Sequence, residues 1–496
     1  MSNASATTLS VTDPCTGELI AELEAATADQ ISAAVHRARK AQGYWAQTSV
    51  NDRRRHLINW RHALLKAGDL LALQLSRENG KPLNESWLHE VAPFCDTLSW
   101  LAEEAPRLLE DTDVSLRWMK HQHSVLWSKP RGVCVVIAPY NFPLLIPFSD
   151  AAAALMAGCS VIIKPSERTP LIAQAVAKLA VQSGLEPDLL QILPGGPHVA
   201  QLLIASDVNE VVFTGSTKHG REVAMLCADR LLPCTLELGG GAPAVVFEDA
   251  NVAQAATAIT FGALANSGQC CLGIERVFAA RSLYSKLVEA IADRVRGLRQ
   301  GNPLHAEVDL GALTSPQQLT KVNQQVAAAL ADGAKLICGG KRACDAGNFY
   351  LPTLLGDCDP RMQVVTHETF GPVIPLVAVD DPGAMLETAT DDRSALAAYL
   401  FGRDGHTLMM AARNANANHV LLNDVLWSYQ CPELPFGGHG MSGWGVVHGP
   451  EGLLSHTHRA HIGRTRVQLP PSLGFAFPYG KTPRTLLKQA LRFFTH

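Results

Sequence analysis

The sequence predicts an α/β protein with a doubly wound parallel sheet, followed by a second α/β unit. Short apolar runs, typical of strands buried on both faces, alternate with helical segments along residues 132–238. Alternation of this kind indicates βαβ units. Three glycines at 239–241 end this series, and a second series continues to residue 422. A chain of 496 residues also exceeds the usual size of one domain, so we expect two or more.

Each apolar run is assigned to a strand, and the periodic segment after it to a helix. The first series has strands predicted at 132–138, 160–163, 189–193, 210–214 and 234–238. Its helices are predicted at about 147–158, 169–183, 197–205 and 217–230. The second series has apolar runs at 243–247, 276–279, 335–338, 373–379, 397–401 and 419–422, with helices between them.

The chain ahead of the first series is predicted to be mainly helical. Residues 1–11 are interpreted as a disordered lead, and residues 13–24 as an edge hairpin. Thr27 fits the N-cap of the first helix and Gly80 the end of the second. The helical segments are 28–42, 51–80 and 84–109.

Two segments alternate polar and apolar residues and predict exposed strands, at 112–130 and 457–468. Both are edges that need a partner. A Pro/Gly-rich link then leads to a terminal helix with Thr482 as N-cap. Its apolar stripe is Leu486, Leu487, Ala490, Leu491 and Phe494, and its cations are Arg484, Lys488 and Arg492. Such a helix either packs on protein, covers a site, or contacts an anionic bilayer peripherally, since it is too short to span one.

Composition narrows the class of protein. A net charge of −4 implies no basic face, so nucleic acid is not an expected partner. The 12 cysteines are scattered without a CxxC pair, which indicates a reduced, cytoplasmic protein. The first ten residues have neither a basic nor an apolar region, so they do not form a secretion signal.

Two chemically unusual segments stand close in sequence. Residues 266–273 place two adjacent thiols, Cys270 and Cys271, among small and polar residues. Upstream, Glu237 interrupts an apolar strand directly before the three glycines. A thiol is the most nucleophilic common side chain, and a carboxylate in a dry site is suited to act as a base. Taken alone, each is more often structural, but the pair predicts covalent catalysis.

Glu-Leu-Gly-Gly followed by Gly-Gln-X-Cys resembles the signature of the NAD(P)-dependent aldehyde dehydrogenases. The resemblance spans roughly residues 12–465 and implies that Cys271 is the nucleophile and Glu237 the general base. Asn141 lies in a matching Pro-X-Asn-Phe-Pro motif, where its amide and the backbone N–H of Cys271 would hold an oxyanion. The resemblance also implies hydrolysis of a thioester to a carboxylic acid.

No GxGxxG fingerprint follows the first strand, so the residues that would bind the cofactor are sought in other segments. The strand, turn and helix start at 213–220 are suited to hold a pyrophosphate on backbone amides. In the family, Lys164 and Glu167 bind the adenosine ribose, and a carboxylate there repels a 2′-phosphate, so NAD is expected in preference to NADP. The expected cofactor residues are Lys164, Ser166, Glu167, Gly215, Ser216, Gly220, Glu368 and Phe370.

The resemblance assigns a domain to each part of the chain. It implies an aldehyde dehydrogenase-like fold with a doubly wound NAD-binding sheet, a second α/β catalytic domain and a β-hairpin oligomerisation arm. The NAD-binding domain is expected at 1–111 with 131–239, and the catalytic domain at 240–456. The arm is expected at 112–130 with 457–468, and a C-terminal extension at 469–496. A homodimer is expected, with a tetramer as the alternative.

The expected substrate is an apolar aldehyde, long-chain aliphatic or aromatic. The matched funnel segments, 142–148 and 424–434, contain neither Lys nor Arg, so a carboxylate tail would lack a partner. The ending at 446–449, together with residues 423–425, resembles the class 3 and fatty-aldehyde branch. Aminoaldehydes are the alternative substrates. The funnel residues are Phe142, Leu145, Trp427, Tyr429 and Phe436.

Other readings of the chain remain open beside this one. A catalytically silent binding or structural homologue is the main alternative, although the full set of family residues is present. Acyl transfer to coenzyme A is a second, and Glu237 argues against it. No metal is expected, because the histidines at 448–461 have no repeated spacing.

Overall fold

The structure is a computed structural model that describes residues 8–117, 119–305, 307–390, 396–469, 477 and 482–493. The chain divides into two compact units. The first comprises Met1–Leu108 with Pro130–His456, and the second comprises Leu109–Lys129 with Thr457–His496.

The strands and helices are numbered here in chain order. The strands are β1 (Thr8–Thr12), β2 (Leu19–Glu24), β3 (Thr112–Asp113), β4 (Gln122–Pro130), β5 (Val133–Ile137), β6 (Ser160–Lys164), β7 (Leu190–Ile192), β8 (Glu210–Gly215), β9 (Cys234–Leu238), β10 (Ala242–Val246), β11 (Ile274–Ala280), β12 (Lys335–Cys338), β13 (Thr353–Gly356), β14 (Val373–Val379), β15 (Ala397–Phe401), β16 (His419–Leu422), β17 (Gly443–Trp444) and β18 (Thr457–Thr465). The helices are α1 (Ala28–Trp45), α2 (Val50–Asn79), α3 (Leu83–Ser86), α4 (Ala92–Leu108), α5 (Leu145–Ala157), α6 (Pro170–Gln182), α7 (Pro197–Ala205), α8 (Thr217–Asp229), α9 (Val252–Leu264), α10 (Arg281–Gly297), α11 (Pro316–Ala331), α12 (Gln363–Thr366), α13 (Pro382–Ala389), α14 (Gly405–Asn414), α15 (Gly449–Ser455) and α16 (Thr482–Phe493).

A six-stranded sheet forms the first half of the first unit, in the order β17-β9-β8-β5-β6-β7. Its strands run parallel except β17, which pairs antiparallel with β9. Every side chain of β5 and β6 is buried, because helices cover both faces of a parallel sheet. The doubly wound sheet predicted from the apolar runs is confirmed.

A seven-stranded sheet forms the second half, in the order β12-β13-β14-β11-β10-β15-β16. It is parallel except for β12, which runs antiparallel to β13. Strand β13 was not predicted, since only two of its four residues, Leu354 and Leu355, are apolar and Pro352 directly precedes the strand.

The helices ahead of the sheets agree with their sequence signals. Thr27 caps α1 through its hydroxyl, and Gly80 ends α2 at a φ of +94°. The helix predicted at 84–109 is instead divided, because a π-helical turn at Trp87–Val91 separates α3 from α4. The disordered lead is also corrected: from residue 8 the chain forms β1, which pairs with β2. The edge hairpin predicted at 13–24 therefore begins at residue 8 instead, while residues 1–7 lie outside the described residues.

The second unit contains a three-stranded sheet in the order β18-β4-β3 and the terminal helix α16. The strands predicted at 112–130 and 457–468 are found in this sheet; β18 is mostly exposed as predicted, whereas β4 is mainly half-buried. The predicted helix is confirmed from Thr482 to Phe493, whereas Phe494 and the link residues 470–476 and 478–480 lie outside the described residues. Oligomeric state, the arm's role and the domain boundaries stay predictions. Among the described helices, none is long and apolar enough to cross a bilayer.

Candidate active site

The first sheet has a switch in strand order between β5 and β8. From β5 the chain moves outward through β6 and β7, and then returns to the other side of β5 as β8 and β9. Ligands of doubly wound sheets bind at the carboxyl ends of the strands beside such a switch. A cavity of about 440 Å³ lies here, lined by residues that follow β5, β6 and β8.

The predicted catalytic and cofactor residues converge on this cavity. Of those predicted from the sequence, its lining contains Asn141, Lys164, Ser166, Glu167, Gly215, Ser216, Glu237, Cys271, Glu368, Phe370, Tyr429 and Phe436. Gly220 lies behind the lining, where a Cβ would stand 2.4 Å from Leu238 Cδ2. Its role is therefore to let α8 approach β9.

The loop that carries Cys271 follows α9 and has a strained backbone. Asn266 and Ser267 both adopt left-handed conformations, with φ of +52° and +54°. At Gly268 a Cβ would lie 2.1 Å from the carbonyl oxygen of Gly371, so only glycine allows these two loops to meet. The approach sets the thiol beside the loop that carries Phe370.

Hydrogen bonds from distant elements hold this strained loop. The Glu85 carboxylate accepts from the Asn266 backbone N–H at 3.1 and 2.9 Å. The Ser267 hydroxyl donates to the carbonyl of Gly311 at 3.1 Å. These contacts stabilise a conformation that the residues would not adopt alone.

Cys271 is half-buried at the cavity wall, and Cys270 is buried behind it. The pairing with the Cys270 thiol, followed by burial and the nearby Glu237 carboxyl, raises the pKa of Cys271 well above its ordinary value. The thiol is therefore protonated at neutral pH.

Glu237 lies in β9 and is 5% exposed. Neither of its carboxylate oxygens has a hydrogen-bond partner within the described part of the chain. Burial, and next Asp150, raise the pKa of Glu237 well above its ordinary value. A buried carboxyl without partners has its hydrogen-bonding capacity available for water or substrate.

Strand β17 fixes the position of Glu237 in the sheet, since Gly443 is its antiparallel partner. A Cβ at Gly443 would lie 1.9 Å from the Leu236 carbonyl oxygen. Gly437 stands close on another side, where a Cβ would be 3.3 Å from Glu237 Oε1. Small residues thus leave room around the carboxyl.

Asn141 is held by a buried ion pair. Lys81 Nζ donates to the Asn141 carbonyl at 2.7 Å and lies 2.5 Å from Glu90 Oε1. The other oxygen of Glu90 accepts from the backbone N–H groups of Leu144 and Leu145, at 2.8 and 3.0 Å. The loop that presents the Asn141 amide is therefore bonded at both ends, and that amide donates to the Gln269 carbonyl at 3.1 Å.

The donor set of the cavity fits a dinucleotide. Ser216 caps α8 and lines the cavity, which places the amides of a helix start at the lining. Lys164 Nζ donates to the Gly195 carbonyl at 3.1 Å and lies 3.9 Å from Glu167 Oε2. A cation and a carboxylate at one strand end suit ribose hydroxyls.

Buried Glu275 fixes the part of this cavity wall that carries Phe370. Its carboxylate accepts from the backbone N–H groups of Thr369 and Phe370 at 2.8 and 2.9 Å. Gln318 donates to the carbonyls of the same two residues. Phe370 has a φ of +56°, so these bonds stabilise an unfavourable backbone that directs the ring toward the cavity.

A second, smaller cavity adjoins Cys271. It is lined by Phe142 and Leu145, as predicted for the funnel, and by Tyr429, which borders both cavities. Phe436 packs edge-on against Tyr429 at 4.6 Å between ring centroids. Trp427 is 42% exposed and lines neither cavity, because the turn Trp427–Gln430 directs Tyr429 inward instead.

Comparison with known proteins agrees with this geometry. The profile of the Aldehyde dehydrogenase family matches residues 1–462. The chain belongs to the aldehyde dehydrogenase family. It is therefore an oxidoreductase that acts on an aldehyde with NAD or NADP.

Several relatives of this dehydrogenase are semialdehyde dehydrogenases. The succinate-semialdehyde dehydrogenase of Escherichia coli, named for NADP(+), is 32% identical over 439 residues, covering 88% of this chain and 90% of the relative. The non-phosphorylating aspartate-semialdehyde dehydrogenase of Halomonas elongata is 34% identical over 445 residues, covering 89% of both chains.

Solved structures have the same fold. The aldehyde dehydrogenase from Brucella melitensis biovar abortus superposes with a TM-score of 0.90 at 32% identity, covering 94% of this chain and 96% of its own. The Mycobacterium tuberculosis aldehyde dehydrogenase complexed with NAD+ gives 0.88 at 30% identity, covering 93% and 95%. The predicted aldehyde dehydrogenase fold is confirmed.

The dehydrogenase also uses residues that sequence reasoning missed. Lys81, Glu85, Glu90 and Glu275 hold the loops of the site through backbone hydrogen bonds. The only sequence signal was that each is a charged residue within a helical or apolar segment. Such a residue does not by itself indicate which backbone group it bonds.

Proposed function

We propose that this chain oxidises an uncharged aldehyde with an apolar tail to the carboxylic acid, with NAD as the preferred cofactor. The observation that carries the proposal is the convergence of Cys271, Asn141 and Glu237 on the cavity that also contains the cofactor residues. Covalent catalysis with hydrolysis needs these three kinds of group within reach of one carbon atom.

In the first step, the Cys271 thiol loses its proton to solvent, and the resulting thiolate adds to the aldehyde carbon, so that a C–S bond forms as the carbonyl π bond breaks. The carbonyl oxygen becomes an oxyanion, which the Asn141 amide and the Cys271 backbone N–H stabilise. NAD, when bound, supplies the acceptor for the hydride that this carbon loses. The product is a thioester on Cys271.

In the second step, Glu237 takes a proton from a water molecule whose oxygen attacks the thioester carbon. The C–S bond breaks, which returns the Cys271 sulfur as thiolate and releases the carboxylic acid. Support for this role comes from the two partnerless oxygens of Glu237 and from the space that Gly437 leaves beside them.

NAD preference rests on Glu167, whose carboxylate lines the cavity close to Lys164. A carboxylate at the ribose repels a 2′-phosphate. The relatives named for NADP(+) make NADP the competing cofactor. Measuring kcat/KM with each cofactor decides between them, with Glu167→Gln expected to lower the NAD preference. A wild-type preference for NADP would refute this part of the proposal.

The apolar substrate class rests on the second cavity. Among the residues that the structure describes, its lining includes no lysine or arginine, and its apolar members include Leu145, Ile146 and Leu272. A buried carboxylate tail without a cation is costly by several kcal/mol. The names of the relatives favour a semialdehyde instead, and the resemblance to the fatty-aldehyde branch is confined to residues 423–425 and 446–449.

A panel of aldehydes tests the proposal, with formation of reduced cofactor followed by absorbance. It contains alkanals of graded length, benzaldehyde, 4-aminobutanal and succinic semialdehyde. We expect the highest kcat/KM for an alkanal or benzaldehyde. The highest value for succinic semialdehyde would contradict the apolar class, and the highest for 4-aminobutanal would support the aminoaldehyde alternative. Turnover of none would indicate the silent homologue.

A further inference from the structure

A polar pair interrupts the apolar wall of the second cavity. His89 lies in the π-helical turn Trp87–Val91, and Gln430 ends the short turn Trp427–Gln430. Both line the cavity that reaches Cys271. Gln430 Nε2 and His89 Nδ1 are 2.7 Å apart, so the two side chains form one hydrogen-bonded unit.

This contact determines which ring nitrogen of His89 carries the proton. The Gln430 amide nitrogen can only donate, so His89 Nδ1 accepts, and a neutral imidazole then carries its proton on Nε2. Burial, and next Lys81, lower the pKa of His89 to about 4, so the ring is neutral near pH 7. The result is an uncharged N–H donor.

The remaining neighbours of His89 do not use that donor. The Phe261 ring lies 5.8 Å away between centroids and supports one side of the imidazole. Within the described part of the chain, Gln430 is the only hydrogen-bond partner of the His89 side chain. The other polar side chains around the cavity include Asn266, which already donates to two carbonyls.

We infer that His89, oriented by Gln430, is a specificity-determining residue whose Nε2–H binds an uncharged oxygen atom on the aldehyde's tail. This rests on the proposed function and narrows it to aldehydes with an ether, hydroxyl or carbonyl oxygen beyond the reacting carbon. A neutral donor suits such an oxygen, and it supplies no charge to hold a carboxylate. A site that binds an oxygen discriminates against the analogue that lacks it, because that analogue cannot accept the hydrogen bond.

The test compares matched substrates in matched variants. Methoxybenzaldehydes and ethylbenzaldehydes, substituted at the same ring position, differ by one oxygen in place of a methylene. For one ring position, we expect wild type to have a higher kcat/KM for the methoxybenzaldehyde than for the ethylbenzaldehyde. His89→Phe should lower this methoxy-to-ethyl ratio of kcat/KM by about tenfold, chiefly by raising the KM of the methoxy substrate. His89→Asn, which keeps an N–H donor, is expected to restore part of the ratio. His62→Phe, at an exposed position of α2, is the control and leaves the ratio unchanged.

A second measurement does not depend on turnover. The matching methoxybenzamide should shift the ¹⁵N resonance of His89 Nε2, and ethylbenzamide should not. Wild-type turnover with no preference for any methoxy isomer, or a ratio that His89→Phe leaves within about twofold, overturns the inference while the proposed function stands. Absence of aldehyde turnover, with the ¹⁵N shift still present, overturns the proposed function alone.

Discussion

Lys81 and Glu90 form an ion pair with 2.5 Å between Nζ and Oε1, and neither side chain is exposed to solvent. Lys81 also bonds the Asn141 carbonyl and lies 4.0 Å from the Phe142 ring centroid. This buried pair holds the loop that carries the predicted oxyanion donor, Asn141. Its loss should therefore affect both the stability of the fold and the position of that donor.

We predict that Lys81→Met lowers the free energy of unfolding by about 3–5 kcal/mol, because it leaves Glu90 as an unpaired buried carboxyl. Urea denaturation measures the change. Arg281→Met is the matched control, since the Arg281–Asp380 pair is exposed and its loss should have a much smaller effect. Equal losses in the two variants would contradict the structural role of the buried pair.

The adjacent thiols should differ in function. Cys271→Ala is expected to abolish aldehyde oxidation, and Cys270→Ala to keep kcat within about tenfold, less than about 1.4 kcal/mol of barrier. Because pairing with Cys270 raises the pKa of Cys271, Cys270→Ala should also shift alkylation of Cys271 by iodoacetamide to lower pH. Comparable loss of activity in both variants would refute the assignment of Cys271.

Glu275 is predicted to control cofactor affinity through the backbone of Phe370. Glu275→Ala removes both acceptors that hold the left-handed residue, so the Kd for NAD should rise about tenfold. Titration by protein fluorescence measures the Kd. Glu289→Ala, at an exposed position of α10, is the control. An unchanged Kd in Glu275→Ala would show that cofactor binding does not need this support.

We predict that the terminal helix α16 controls access of the substrate to the site or binds a membrane surface. Its Leu486 and Leu491 are 42% and 59% exposed, and Arg484 and Lys488 are exposed on the same helix. Truncation after Val467 is expected to reduce co-sedimentation with anionic liposomes or activity toward long-chain aldehydes. If both are unchanged, the helix serves only to pack on protein.

The sequence predicted all strands of the two sheets except β13 and β17, chiefly because burial on two faces leaves a continuous apolar run. It predicted most of the cavity lining because the motif residues follow consecutive strands, and the carboxyl ends of parallel strands meet at one edge. Strand β17 was missed, since two residues beside a glycine carry no periodic signal.

The supporting carboxylates were also missed, for a different reason. Glu275 bonds residues that lie 94 and 95 positions away, and Glu85 bonds one 181 positions away. Pairings of that length depend on the tertiary fold, and a lone glutamate gives no sign of its partner. Trp427 was assigned to the funnel from its position before Phe436, but the direction of a side chain in a short turn depends on backbone angles that the pattern does not supply.

The central claim is that Cys271 carries an acyl group that Glu237 removes, and trapping that acyl group tests it most directly. Glu237→Gln, mixed with an aldehyde and NAD, should accumulate a thioester on Cys271 that intact-protein and peptide mass spectrometry detect, with one equivalent of reduced cofactor formed rapidly. In wild type, hydrolysis should accelerate as pH rises through the raised pKa of Glu237, because only the carboxylate accepts a proton. Full steady-state turnover by Glu237→Gln, with no acyl group on Cys271, would contradict the account.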